Sequence, residues 1–198
     1  MNRTKKIYIV ISQTGTLLSR VLKLISGAEY NHASISLAAD LRTMYSFGRL
    51  SPYNPFWGGF VEESPQTGTF LRFSETRAMV LSVSVSPEQY DAIRDQLIRM
   101  MHQRRLYRYN YFGLGMAALG ICYTKEDCYY CSEFVREMLE EGRVSGCEQL
   151  DSIVHPMNFL ELPDAHLIYR GKAEGIFPIA RIKKGAGTPK RIRLLFAV

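Results

Sequence analysis

The sequence predicts one mixed domain of β-strands and α-helices, and three observations lead to this prediction. The chain has 198 residues, which is enough for one complete hydrophobic core. Short alternating runs such as 32–37 are typical of strands, whereas 86–104 and 131–142 carry apolar residues at helical spacing. We expect the core to cover about 6–170 and a basic extension to cover 171–198.

The first part of the chain is predicted to alternate between strands and a helix. The apolar stretch Lys6–Ser12 is a strand candidate, and Thr16–Ser26 has helical spacing before a glycine. His32–Leu37 and Thr43–Phe47 are predicted to pair as a hairpin, since a short polar turn separates them.

The segment Gly48–Gly68 is predicted to be a long loop, because it is rich in glycine, proline and aromatic residues. It contains the single tryptophan of the chain, Trp57. Long loops in compact domains often line a functional site, so Trp57 is a candidate substrate contact.

The second part is predicted to begin with a strand at Arg77–Ser84 and a helix that starts after Ser86 and runs to about Arg104. Ser86 has the features of a helix cap, with proline at the next position and acids in the first turn. Tyr107–Tyr130 is predicted to be irregular and aromatic. Phe159–Leu162 is predicted to be a short helix, and Leu167–Arg170 a strand.

The net charge is +6, from 25 basic and 19 acidic residues. Much of the excess lies in Arg99–Arg108 and Arg181–Arg191, and neither stretch carries a nucleic-acid motif. We therefore expect no nucleic-acid partner, whereas the basic faces leave room for a peripheral membrane contact.

The N-terminus resembles a signal peptide only superficially. The apolar run Ile7–Ile11 is short, and polar residues end it without a cleavage pattern. The expected location is the cytoplasm, where the four cysteines would be reduced. No metal or cofactor is expected, and the oligomeric state is left open.

Cys131 is the main candidate for chemistry. It opens a helical pattern in which Phe134, Val135, Met138 and Leu139 recur at helical spacing before Gly142. The N-terminal end of a helix favours a thiolate, which is the nucleophilic form of cysteine. The alternatives are a buried structural cysteine, or a zinc or redox pair with Cys128.

His32 is the candidate base, because it shares one face of its predicted strand with Ser34 and Ser36. A third group normally orients the imidazole. The returning strand offers Ser46, and Glu62 or Glu63 are charged alternatives if the loop folds back. Further candidates for oxyanion or substrate contacts are Gln13, Trp57 and Tyr130.

These motifs resemble, in their order, the circularly permuted branch of the papain-like NlpC superfamily. That branch includes the YiiX-like bacterial proteins and the lecithin retinol acyltransferase group. The matching stretches are a Ser/Thr-Gly stretch, a histidine motif, a cysteine motif and two downstream segments: Ser12–Ser19, Tyr30–Ser36, Cys131–Val135, Pro156–Leu160 and Leu167–Arg170. The histidine precedes the cysteine by 131 − 32 = 99 positions, as the permutation requires.

The resemblance implies an α+β fold of the permuted papain-like (NlpC-type) kind, in which an antiparallel sheet packs against helices. It also implies a cysteine hydrolase or acyltransferase, either a peptidase or a lipid amidase, that acts on an amide, ester or thioester bond. Cys131 would form an acyl-thioester with His32 as general base, and the substrate would be a small molecule, lipid or peptide. The alternative is a weak or inactive binding module of the same fold.

Overall fold

A computed structural model of the protein describes residues 4–13, 29–51, 54, 57–66, 70 and 75–176. The predicted helix Thr16–Ser26 and the basic stretch Arg181–Arg191 lie outside these residues.

The described chain forms eight strands: β1 Lys5–Gln13, β2 His32–Ser36, β3 Met44–Arg49, β4 Gly58–Glu63, β5 Arg77–Val85, β6 Arg108–Tyr109, β7 Cys128–Tyr129 and β8 Ala165–Lys172. Six of them build one antiparallel sheet in the order β4-β3-β2-β1-β5-β8. The short strands β6 and β7 pair in parallel as a separate ribbon.

Within the described residues three α-helices accompany the sheet: α1 Pro87–His102, α2 Tyr111–Ala118 and α3 Cys131–Glu141. Short 3-10 turns follow at Cys147–Gln149, Pro156–Glu161 and Ala173–Ile176. The combination of sheet and helices confirms the predicted α+β class. Within the described residues no helix is long and apolar enough to cross a membrane.

The start of α1 shows why the local sequence prediction succeeds. Ser86 Oγ accepts the N–H of Gln89 at 3.2 Å, and the Gln89 side chain accepts the N–H of Ser86 at 2.9 Å. This reciprocal pair satisfies two backbone donors that a helix start otherwise leaves open.

The two faces of the sheet are both buried. One face packs on α1 and α3 and forms the larger core, which includes Ile9, Ile35, Phe47, Leu81, Phe134 and Met138. The opposite face carries a smaller cluster that includes Val10, Met44, Val80, Phe70 and Ile176. Because Ile176 is buried in this second cluster, the packed structure continues past residue 170.

Two segments differ from the predictions. The expected loop Gly48–Gly68 contains β4, whose residues pair with β3 from Arg49 opposite Gly58 to Met44 opposite Glu63. The glycines conceal the strand pattern, since they add no alternating side chains. The expected irregular segment Tyr107–Tyr130 contains α2, which is apolar on every side and therefore shows no helical period.

Candidate active site

Cys131 is the first residue of α3, as the sequence predicts. The preceding Tyr130 has extended backbone angles and makes no capping hydrogen bond from its side chain. The first N–H groups of a helix have no partner within the helix, so those of α3 point past its end, where Cys131 lies. This end of the helix can stabilise negative charge on sulfur or on a bound oxygen atom.

Tertiary packing places the Cys131 thiol at the beginning of β2. Its Sγ lies 3.8 Å from the carbonyl oxygen of Asn31, the residue before His32. The side chain is only 4 % exposed. The thiol faces a narrow groove of about 40 Å³. The groove is lined by the polar residues Asn31 and Tyr130 and by apolar residues such as Leu114, Ala117 and Pro156.

His32 lies between a thiol and a carboxylate. Its Nε2 is 2.9 Å and 3.0 Å from the two carboxylate oxygens of Glu63. The Cys131 side chain also interacts with the ring and raises the pKa of His32. Because Glu63 occupies Nε2, Nδ1 is the ring nitrogen that remains for the thiol. Ser34 completes the cluster by donating its hydroxyl to Glu63 Oε2 at 2.7 Å.

The electrostatics of the cluster favour a charged histidine. Burial alone lowers the pKa of His32, but the Glu63 carboxylate and the hydrogen bonds to Cys131 and Glu63 raise this pKa well above its ordinary value of 6.5. Burial likewise favours neutral Glu63, yet the His32 charge and the hydrogen bonds of His32 and Ser34 lower the pKa of Glu63 below 4.5. Each group therefore stabilises the charged form of the other, an imidazolium beside a carboxylate.

Ser46 does not orient His32, contrary to the prediction. Its hydroxyl donates to the carbonyl oxygen of Ala33 at 2.6 Å and is fully buried. The turn between β2 and β3 is longer than expected, and the observed register sets Tyr45 opposite Ile35. Ser46 thus joins two strands of the sheet, and Glu63, one of the two charged alternatives, holds the histidine.

Glu63 could be found in the sequence only as an alternative, because its position depends on β4. The pairing of Met44 with Glu63 and of Ser46 with Val61 puts these residues on one face of the sheet. The sequence does not reveal the strand β4, because its two glycines carry no side chains that could alternate. A pair of acidic residues just after an aromatic and a β-branched residue was the available hint.

Gly48 provides room for the Glu63 carboxylate. A Cβ at this position would lie 3.5 Å from Glu63 Oε1 and 3.3 Å from Val61 Cγ2. A larger side chain would therefore occupy the space that the carboxylate uses beside His32.

We expect Gly48→Leu to displace Glu63 and to lower the pKa of His32, since the burial of the imidazole remains while its anionic partner moves away. NMR titration of the imidazole measures this change. Gly115→Leu is the matched control, because a Cβ at Gly115 meets no atom within 4 Å. An unchanged His32 titration in Gly48→Leu would show that Gly48 has no part in placing Glu63.

Of the other predicted site residues, Tyr130 lies at the groove, whereas Gln13 and Trp57 lie elsewhere. Tyr130 is buried and lines the Cys131 groove, where burial, Glu133 and Cys131 raise the pKa of its phenol and keep it neutral. Gln13 ends β1 opposite Arg77, and among the described residues no hydrogen bond joins it to Cys131. Trp57 precedes β4 and is largely exposed.

The four cysteines are all free thiols, and only Cys122 is exposed. Cys128 lies on β7, whereas Cys131 begins α3. Across the described part of the chain, no group of three or more metal-binding side chains is suitably placed for a metal ion.

No protein-family model matches the chain, and a search of curated proteins finds no match.

Proposed function

We propose that the protein is a cysteine hydrolase or acyltransferase with the permuted papain-like (NlpC-type) fold. One observation carries the proposal: His32 is held between the Cys131 thiol and the Glu63 carboxylate, with the thiol at a helix start. A nucleophile, a base and a group that orients the base are the parts that nucleophilic catalysis needs.

The reaction begins from a Cys131 thiolate beside a His32 imidazolium, an ion pair in which the proton of the thiol resides on the ring. The thiolate attacks the carbonyl carbon of an amide, ester or thioester. The resulting oxyanion lies near the first N–H groups of α3. When the tetrahedral intermediate collapses, the bond to the leaving group breaks and His32 returns the proton to that group.

The acyl-thioester on Cys131 is then cleaved by water or by another acceptor. His32 removes a proton from the acceptor and keeps it while the sulfur leaves as a thiolate, so that the thiolate–imidazolium pair of the free enzyme is restored. Glu63 keeps the imidazole in place and balances its positive charge through both steps, and Ser34 in turn holds Glu63.

The lining of the groove at Cys131 favours an apolar acyl group in the substrate. Its wall is mostly apolar on the side of α2 and of residues 153–156, where Leu114, Ala117, Ile153 and Pro156 lie. The substrate is accordingly an acyl compound whose carbonyl stands at the sulfur.

The family resemblance is supported by where the two motifs lie. His32 begins a central strand of an antiparallel sheet, and Cys131 begins the helix that packs on that sheet. The sequence order, with histidine first, is the order expected for the permuted branch.

The test is labelling with a thiol-reactive acyl probe, followed by peptide mapping. Cys131 should be labelled faster than Cys122, although Cys122 is exposed and Cys131 is buried. Access would favour the opposite order, so this result requires an activated thiol. Labelling should vanish in Cys131→Ala, fall sharply in His32→Ala and persist in the matched control Cys122→Ala. Equal labelling of wild type and His32→Ala would refute the proposal.

A binding module without activity is the second candidate, because Cys131 is nearly covered and its groove is small. It predicts that the probe labels Cys122 alone. Stoichiometric thioester that is not released by water or amine acceptors would also favour this candidate over a catalyst.

A further inference from the structure

Asn110 lies where three segments meet: the start of α2, the residues after α2 and the start of α3. It is 4 % exposed, and its backbone N–H donates to the carbonyl oxygen of Tyr129 at 3.0 Å. Tyr129 is two residues before Cys131, so the backbone of Asn110 is fastened beside the segment that leads into the nucleophile.

The two ends of the Asn110 side chain have different partners. Its Oδ1 accepts the N–H of Gly113 at 2.8 Å, which caps α2. Its Nδ2 donates to the carbonyl oxygen of Tyr123 at 3.3 Å and to Glu133 Oε2 at 3.4 Å. Only one orientation of the amide serves these partners, because an N–H group needs the oxygen and the two acceptors need the nitrogen. Capping of α2 therefore uses one end of the side chain, and the other end reaches α3.

Glu133 connects Asn110 to the backbone next to the nucleophile. It is the third residue of α3, and the Oε2 atom that contacts Asn110 also accepts the N–H of Tyr130 at 3.2 Å. Burial raises the pKa of Glu133 above 4.5, whereas the hydrogen bonds from the Tyr130 backbone and from Asn110 act in the opposite direction. Asn110 thus stabilises the carboxylate in the position where it holds the residue before Cys131.

Gly113 leaves the space that the Asn110 amide needs. A Cβ at Gly113 would overlap the Asn110 side chain. The amide therefore packs directly on the backbone of α2, and a buried side chain packed in this way keeps a fixed orientation. The start of α2 and the start of α3 are held together by one rigid amide.

We propose that Asn110 is a positioning residue for Cys131, because through Glu133 it fixes the first turn of α3 relative to α2; this role rests on the proposed function. The thiol reacts from this turn, and the oxyanion lies near the N–H groups of the same turn. A shift of the turn would displace both from His32 and from the groove that α2 lines. A displacement of about 1 Å can slow a reaction by about a hundredfold.

Asn110→Ser separates the cap of α2 from the contact with α3. Serine is a good helix cap for the Gly113 N–H, but it is too short to reach Tyr123 or Glu133, and it adds no charge. Two reagents are compared: iodoacetamide, which needs only a reactive thiol, and an activated ester, whose attack also forms an oxyanion. Both rates at Cys131 should fall by about ten- to hundredfold.

Asn158→Ser is the matched control, because Asn158 makes the same two kinds of contact outside α2 and α3. Its Oδ1 accepts the N–H of His155 at 2.8 Å, and its Nδ2 donates to Glu161 Oε1 at 3.3 Å. Both rates in this control should stay within about twofold of wild type.

A compensating pair of substitutions tests the contact with Glu133 specifically. Asn110→Asp keeps the cap but sets a second carboxylate against Glu133, so both rates should fall. In Asn110→Asp with Glu133→Gln, the new amide can donate to the new carboxylate and still accept the Tyr130 N–H. The double variant should recover to within about threefold of wild type, although its contact with Tyr123 is lost.

Rates in Asn110→Ser equal to those of the control would overturn the positioning role, and so would a double variant no faster than Asn110→Asp. Circular dichroism checks that each variant is folded, and the two Asp variants decide if Asn110→Ser is not. The proposed function fails in a different way. If the ester labels wild-type Cys131 no faster than Cys122 while the iodoacetamide rates follow the predicted order, the catalytic role is wrong and the positioning of the thiol stands.

Discussion

Glu63→Gln is expected to slow acyl-enzyme formation by about two to four orders of magnitude while leaving Cys131 and His32 in place. The amide can still contact the imidazole, but it carries no charge to balance an imidazolium. The thiolate–imidazolium pair is therefore less populated. Stopped-flow measurement of the acylation step with an activated ester gives the rate.

The same substitution should move the alkaline limb of the pH–rate profile to lower pH. In the wild type Glu63 helps to raise the pKa of His32, so the imidazolium persists above pH 6.5. Without the carboxylate, burial favours the neutral ring and His32 loses its proton earlier. A limb that stays in place would show that Glu63 does not set the charge of His32.

Stability should depend on pH in a related way. The raised pKa of His32 stabilises the fold fully below pH 6.5, and this contribution is lost as pH rises through the raised value. The lowered pKa of Glu63 stabilises fully above pH 4.5, and that contribution is lost as pH falls through the lowered value. The difference in unfolding free energy between wild type and Glu63→Gln, about 1–3 kcal/mol, should therefore be largest between pH 4.5 and 6.5.

Ser46→Ala provides the control for these measurements. Ser46 is buried on the sheet face that carries Glu63, and its hydroxyl donates to the carbonyl oxygen of Ala33. Loss of this hydroxyl should lower the free energy of unfolding by about 1–3 kcal/mol. The pH–rate profile should not move. A profile shifted like that of Glu63→Gln would restore Ser46 as the orienting residue.

Phe134→Ala is expected to lower the free energy of unfolding by about 3–5 kcal/mol. Phe134 is fully buried on α3, and its ring centroid lies 5.2 Å from that of Phe47 and 5.6 Å from that of Phe60. Removal of the ring leaves a cavity between the sheet and the helix that carries Cys131. Urea unfolding followed by circular dichroism measures the loss.

The control for Phe134 is the exposed phenylalanine of α2. Phe112→Ala removes a ring of the same size that packs mainly on Tyr123, so its cost should stay within about 1 kcal/mol. Similar costs at the two positions would mean that the core does not close around Phe134.

The elements predicted correctly from the sequence are those with local signals. Ser86 marks the start of α1 because its partner Gln89 is three residues away. Cys131 marks the start of α3 because the apolar period begins at once and Gly142 ends it. Both signals need only neighbouring residues, so they can be recognised in the chain alone.

Helix α2 and strand β4 could not be recognised in this way. The sequence of α2 is uniformly apolar, and whether its outer side is covered depends on distant segments such as 153–156. β4 is defined by pairing with β3, and its glycines remove the alternation that would reveal it. In both cases the determining contacts join residues far apart in sequence.

The sequence by itself determined the two candidates for nucleophile and base: a cysteine at a helix start and a histidine at the start of a strand with a polar face. Only the tertiary structure decided which group holds His32. The register of β3 directs Ser46 to Ala33, and the pairing of β4 brings Glu63 to His32. A carboxylate 31 positions from the histidine reaches it only after three strands have paired, because strand register is set by the whole sheet and not by local residues.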